Sequence, residues 1–95
     1  MALYAITYKY VDDTEKLGEV RPSHRAYLSG LCETGQILAS GPLTTAGPNT
    51  ALLIFQADSI EQAAALSDDD PMVANGLVAE RHVQEWNVVI GGFSH

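Results

Sequence analysis

The chain has little of what small domains use to staple themselves shut or to grip large polar partners. One cysteine, Cys32, stands among 95 residues. An intramolecular disulfide is therefore ruled out, and a thiolate zinc cluster has no second sulfur. Lysine and arginine number five against twelve acidic residues, for a formal net charge of −7. A phosphate backbone needs a basic stripe, so nucleic acid is not an expected partner. No apolar run approaches the ~20 residues of a membrane span, and no basic segment leads into an apolar one of the kind that marks export. The expectation is a cytoplasmic protein with no membrane partner. The patterns HExxH, GxSxG and GxGxxG and the phosphate-binding P-loop are missing as well. His24, His82 and His95 have no metal-ligand spacing, so no metal is expected.

Hydrophobic residues make up 46% of the chain and charged residues 18%, the balance of a packed domain rather than of a disordered chain. At this length a single domain over 1–95 is expected. So small and apolar a domain tends to cover part of its surface with another copy of itself. In "ALYAITYKYV", residues 2–11, Tyr4, Ile6, Tyr8 and Tyr10 recur at period two, which predicts a strand. The polar "DDTEKLGEV" at 12–20 reads as a loop or an irregular lead-in to a helix. Over 22–34, Tyr27, Leu28 and Leu31 follow helical spacing, with Pro22 suited to a first helical position and Gly35 to a C-terminal stop. Gly30 weakens that helix, or fits one lying close to a sheet.

"QILAS" at 36–40 predicts a short strand stopped by Gly41-Pro42, and "LTTAGPNT" at 43–50 a loop. "ALLIFQA" at 51–57 is apolar on both faces and so belongs at the centre of a sheet. Two residues can cap the helix that follows in "SIEQAAALSDDD": Asp58 with Glu61 as its third residue, or Ser59 with Gln62. Pro71 ends this helix by pushing Asp70 out of the α region. "MVANG" is a one-turn connector to Gly76, "LVAERHVQEWNVVI" at 77–90 a final strand, and "GGFSH" a tail that holds His95.

Strand, helix, strand, strand, helix, strand predicts the ferredoxin-like βαββαβ arrangement. It is an α+β fold with a four-stranded antiparallel sheet and both helices on one face. The other face is also apolar, and a second copy packed sheet to sheet covers it most economically.

Three stretches can carry chemistry. In "RPSHRAYL", residues 21–28, His24 shares a helical stripe with Leu28 and Leu31 and faces the sheet. In a first turn it lies near the positive end of the helix dipole, which disfavours its charged form. It is either a partly buried histidine bonded to a backbone carbonyl or a reagent. In "SDDDP", Asp68 and Asp69 read as a solvated helix end, whereas Asp70 is extended and gains from a cationic or donor partner beside the helix carbonyls. A His24–Asp70 pair is within reach if the end of the second helix approaches the start of the first. In "SGPL", Ser40 ends a strand and Gly41 permits close approach to the backbone, although a plain turn explains both. His82 alternates with Glu80, Gln84 and Trp86 and reads as an edge or dimer-interface residue.

Taken in order, "RPSHRAYL", "GQILASGPL", "DSIEQAAALSDDDPMVANGL" and a tryptophan in the last strand resemble the YCII-related family over nearly the whole chain. The most telling feature is R-P-x-H in the first helix paired with D-P-M after the second. The resemblance implies a dimeric α+β barrel in which two ferredoxin-like sheets pack face to face. It also implies that His24 and Asp70 line a cleft as a catalytic pair, with Ser40, Gly41 and Pro42 on its wall and Arg21 placed to bind an anionic substrate group. Activities associated with the family include dehydrochlorination of a chlorinated hydroxyquinol, and sheet-packed relatives include muconolactone isomerases and cofactorless oxygenases.

The residues suit that chemistry. Imidazole ordinarily titrates near pH ~6.5 and accepts protons around neutrality, and a carboxylate sets its tautomer and steadies the imidazolium. The expected function is a lyase or isomerase needing no cofactor, acting on a small enolisable or aromatic molecule. The alternatives are a non-catalytic small-molecule binding module and a pure assembly unit in which His24 is bonded internally.

Overall fold

The computed structural model describes residues 2–45 and 49–93. Ala46, Gly47 and Pro48 of the expected 43–50 loop, and His95 of the tail, lie outside them. The elements run β1 (Ala2–Tyr10), α1 (Thr14–Glu33), β2 (Ile37–Leu43), β3 (Thr50–Ala57), α2 (Ile60–Asp68), α3 (Pro71–Ala74) and β4 (Val78–Trp86). One antiparallel sheet has the order β2-β3-β1-β4. This is the ferredoxin-like βαββαβ fold, with a one-turn α3 added before the last strand. No helix among the described residues is long and apolar enough to cross a membrane.

The period-two pattern of β1 does what it predicts. Tyr4, Ile6 and Tyr8 are buried and pair through the register with Phe55, Leu53 and Ala51 of β3. Leu28 and Leu31 of α1 and Ala63 of α2 close over the same residues. Burial of each large side chain in this layer contributes about 1.5–3 kcal/mol. The opposite face is formed by the alternate residues: Leu3 pairs with Trp86, Ala5 with Ile54 and Gln84, and Thr7 with Leu52 and His82. His82 is exposed there, on an edge strand.

Four local expectations are corrected. The first helix starts at Thr14, not Pro22, because Asp13 caps it by accepting from the Lys16 amide at 3.1 Å. Leu17 is also buried against Met72 and Leu77, and the helix runs through Pro22. Proline removes one backbone bond, to the carbonyl four residues back, but that residue is the exposed Gly18. Gly30 makes no close approach: a Cβ there would meet nothing within 4 Å. Gly35 does end the helix, at φ +80°.

The second strand continues through Gly41-Pro42 to Leu43, pairing Pro42 with Ala51. Because β2 is an edge strand, the missing proline N–H costs no interior ladder bond. The last strand stops at Trp86 instead of running to 90, where its ladder with β1 ends at the Leu3–Trp86 pair. Of the two candidate caps of α2, Ser59 serves, accepting from the Gln62 amide at 3.1 Å, while the Gln62 side chain accepts from the Asp58 amide at 2.7 Å.

Candidate active site

The site is built where the corner between α2 and α3 meets the middle of α1. Asp70 is extended (φ −63°, ψ 126°), as a residue before proline should be, and caps α3 by accepting from the Met72 amide at 3.0 Å. This corrects the expectation that helix carbonyls disfavour its charge: the N-terminus of α3 receives it. His24 is correspondingly not in a first turn. It is the eleventh residue of a 20-residue helix, too far from the N-terminus for the dipole to act on it.

The two groups meet. His24 Nδ1 lies 2.7 Å from Asp70 Oδ1, with the histidine side chain 12% exposed and the aspartate fully buried. An ionised carboxylate only accepts, so Nδ1 carries the proton and Nε2 is left as the basic nitrogen. Among the described residues no side chain bonds Nε2, and no buried side-chain nitrogen or oxygen lacks a partner. Nε2 is therefore open to solvent.

Behind the pair runs a chain of contacts that sequence reasoning did not find. Tyr8 donates to Asp70 Oδ2 at 2.9 Å. Its single proton being used, it accepts from the Ser67 hydroxyl at 2.9 Å. Ser67 in turn accepts from Arg81 Nη1 at 3.0 Å, and Arg81 also pairs with Asp68 at 2.7 Å. Asp70 thus receives donors from α1, β1 and α3, and α2 and β4 brace the Tyr8 arm. Tyr27 adds a strut, donating to the Leu66 carbonyl at 2.7 Å. Burial, partly relieved by the Ser67 bond and reinforced by the Asp70 charge, pushes the Tyr8 phenol far above its ordinary range. It remains a proton donor to the carboxylate throughout the neutral range. Burial and then the Asp70 charge push Tyr10 up to about 12, against a lowering by Arg21.

In front of His24 opens a cleft of about 480 Å³ between α1 and the β2 edge. Of the residues read from the sequence, His24, Arg21, Ser40, Gly41 and Pro42 line it. Asp70 does not: with no exposed surface it sits behind the imidazole and reaches the cleft only through it. Arg25, Cys32, Tyr10 and Asn49 also line the cleft and were missed. The available signal was Arg25 in "RPSHR", on the same helical face as Arg21. Tyr8 and Ser67 had none beyond their place on buried faces, where alternation and amphipathicity report burial and not bonding. Gly41 presents open space, since a Cβ there would meet nothing within 4 Å.

Comparison with known proteins agrees with this architecture. The YCII-related domain family matches residues 2–87. Protein YciI of Escherichia coli is 34% identical over 82% of this chain and 88% of its own length. Among solved structures, 5-chloro-2-hydroxyhydroquinone dehydrochlorinase (TftG) from Burkholderia phenoliruptrix, in complex with 2,5-dihydroxybenzoquinone, superposes with a TM-score of 0.77 at 26% identity, over 90% of this chain and 93% of that one. An uncharacterized NIPSNAP domain protein from Burkholderia xenovorans shares the fold alone, with a TM-score of 0.57 at 13% identity over 100% of this chain and 99% of that one. The chain belongs to the YCII-related family.

Proposed function

We propose that this protein is a lyase or isomerase that needs no cofactor and moves a proton on a small enolisable or phenolic molecule. His24 Nε2 is the base and Asp70 the group that orients it. The observation that carries this reading is the 2.7 Å contact between His24 Nδ1 and a buried carboxylate, which leaves Nε2 bare at a cleft. Arg21, Ser40, Gly41 and Pro42 shape the substrate site. The dehydrochlorinase relative supports the reaction class. Loss of HCl from such a phenol passes through its keto tautomer, in which the chlorine-bearing ring carbon has gained a proton. Nε2 takes a remaining hydroxyl proton, the O–H pair becomes C=O, the adjoining double bond shifts to that carbon, and chloride leaves with the C–Cl pair. No oxidant or reductant enters. General-base assistance of this kind is worth roughly 10²–10⁴-fold.

The working unit in this reading is a cytoplasmic homodimer that takes up no nucleic acid and no membrane. Two sheets pack by the faces that carry Leu52, Ile54 and Trp86, a face no helix covers. Trp86 is 41% exposed in the single chain.

The test is chloride release from 5-chloro-2-hydroxyhydroquinone by the wild type and by His24→Ala. The expected result is turnover by the wild type and a loss of ~10²–10⁴-fold in the variant. Equal rates would overturn the assignment of the base. Binding of that compound without turnover would make the domain a binding module.

A further inference from the structure

We propose that the cleft selects a small organic anion, a carboxylate carried on an apolar body, and that Arg21 and Arg25 hold its oxygens while His24 works on the adjoining skeleton. The proposal rests on the reading of His24 as the base. The observation behind it is a separation of charge. The chain carries twelve acidic residues and five basic ones. Among the described residues no aspartate or glutamate lines the cleft, whereas Arg21, Arg25 and His24 all do. In a protein of net charge −7 the surface at large repels anions, and two arginines gathered in one hollow oppose that repulsion locally. Such focusing concentrates an anionic ligand at one place.

The two guanidinium groups are also uncommitted. The ion pairs of the described residues are His24–Asp70 and Arg81–Asp68, and neither Arg21 nor Arg25 makes a hydrogen bond to a described side chain. An arginine kept for stability would be expected to hold a carboxylate of its own, as Arg81 does. Positions 21 and 25 are one helical turn apart, with Cβ atoms about 6 Å from each other, and His24 lies beside both. Two planar forks at that spacing match a carboxylate, which accepts parallel N–H bonds from each.

The rest of the lining sets the body of the ligand. Leu28, Ile37, Ala39, Ala51 and Met72 supply an apolar wall beyond the arginines. A ligand with an oxyanion at one end and a flat hydrocarbon portion at the other satisfies both regions. A neutral phenol still fits the apolar wall but leaves the guanidinium groups to water and binds more weakly, and a polyanion strands charge against that wall.

Benzoate and benzamide, equal in shape and different in charge, serve as probes in NMR-detected titrations of the wild type, Arg25→Gln and Arg25→Lys. Arg25 is exposed, so these variants fold. Benzoate should bind in the millimolar range or tighter, shift the arginine Nε–H and His24 ring signals, and exceed benzamide by roughly tenfold, the scale of one charge-assisted bond. Arg25→Gln should remove about that tenfold for benzoate and leave benzamide unchanged, with Arg25→Lys between because it keeps the charge and loses the fork. Added salt should weaken benzoate only. Equal affinities for the two probes, no benzoate binding at millimolar concentration, or an Arg25→Gln variant that binds as the wild type does would each overturn the proposal. Binding is read without turnover, so the two ideas fail separately. Anion preference with His24-independent turnover sinks the base and keeps the clamp; His24-dependent turnover without anion preference does the reverse.

Discussion

Tyr8 and Thr7 are neighbours on β1 and face opposite ways. Tyr8 ends in a buried line of polar contacts reaching Asp70, Ser67 and Arg81, whereas Thr7 pairs with Leu52 and His82 on the side no helix covers. The helix-covered side has the larger hollow, about 480 Å³ with arginines and a bare imidazole nitrogen. The uncovered side has one of about 240 Å³ lined by Ala5, Leu52, Ile54 and Trp86 among others. The difference shows what makes a hollow a site. Apolar surface alone offers area to a partner. Chemistry needs a polar group held in one protonation and one orientation, and on the helix-covered side a helix-end amide from Met72, the His24 side chain and the Tyr8 side chain of β1 converge on Asp70.

Breaking the helix-covered side should have the largest effect. Asp70→Asn removes the charged acceptor of Nδ1–H and leaves either tautomer open to His24. Chloride release is expected to fall by roughly 10²–10⁴-fold, close to His24→Ala, while a circular dichroism spectrum stays native. A rate within a few-fold of wild type would show that the pair is structural.

Breaking the uncovered side should change assembly and spare the His24–Asp70 pair. Leu52→Glu places a charge against Ile54 and Trp86, and light scattering is expected to report half the mass of the wild type, with the affinity of the cleft for benzoate preserved. A wild type already of monomer mass would remove the sheet-to-sheet packing altogether.

A finer cut is Tyr8→Phe. It leaves Asp70 Oδ2 and the Ser67 hydroxyl buried with one partner fewer each. Urea unfolding should show a loss of about 1–3 kcal/mol. The midpoint should move little if water takes the place of the phenol oxygen.

The smallest effect is reserved for alkaline pH. Tyr8 and Tyr10 both have folded-state values raised by burial, Tyr10 to about 12. Above the ordinary phenol value of ~10 the unfolded chain has given up protons that the native one keeps, so stability is intact below that pH and falls as pH rises through about 12. Urea midpoints measured from pH 8 upward should decline in that window, and Tyr10→Phe should flatten part of the decline.

Much of this was legible in the residues themselves. The alternation of Tyr4, Ile6, Tyr8 and Tyr10 predicted a strand with these residues on one face, and "ALLIFQA" predicted a central strand because both its faces are apolar. The Asp70-Pro71 pair predicted a corner, since proline constrains the residue before it. Much of what escaped had a nonlocal cause. Pro22 was read as a helix start, but Asp13 and the burial of Leu17 against Met72 and Leu77 start α1 two turns earlier. Gly41-Pro42 was read as a stop, but proline interrupts a strand only where a neighbour needs its N–H, and which strands lie at the edge is decided by the order of the sheet. Tyr8 shares one face of a predicted strand with Tyr4, Ile6 and Tyr10, but burial and bonding give the same period of two, so its bond to Asp70 leaves no mark in the pattern.

Composition and periodicity by themselves determined the class of fold, the layer that is buried and the absence of any basic stripe, because these depend on backbone preference and apolar pattern, which act within a few residues. The three-dimensional packing alone decided that His24 meets Asp70, that Tyr8, Ser67 and Arg81 stand behind them, and that among the described residues the cleft is lined by Arg21 and Arg25 and by no carboxylate. Residues up to 62 apart in the chain make those contacts, and a directional bond at 2.7–3.0 Å exists only once the whole core has set its partners in place.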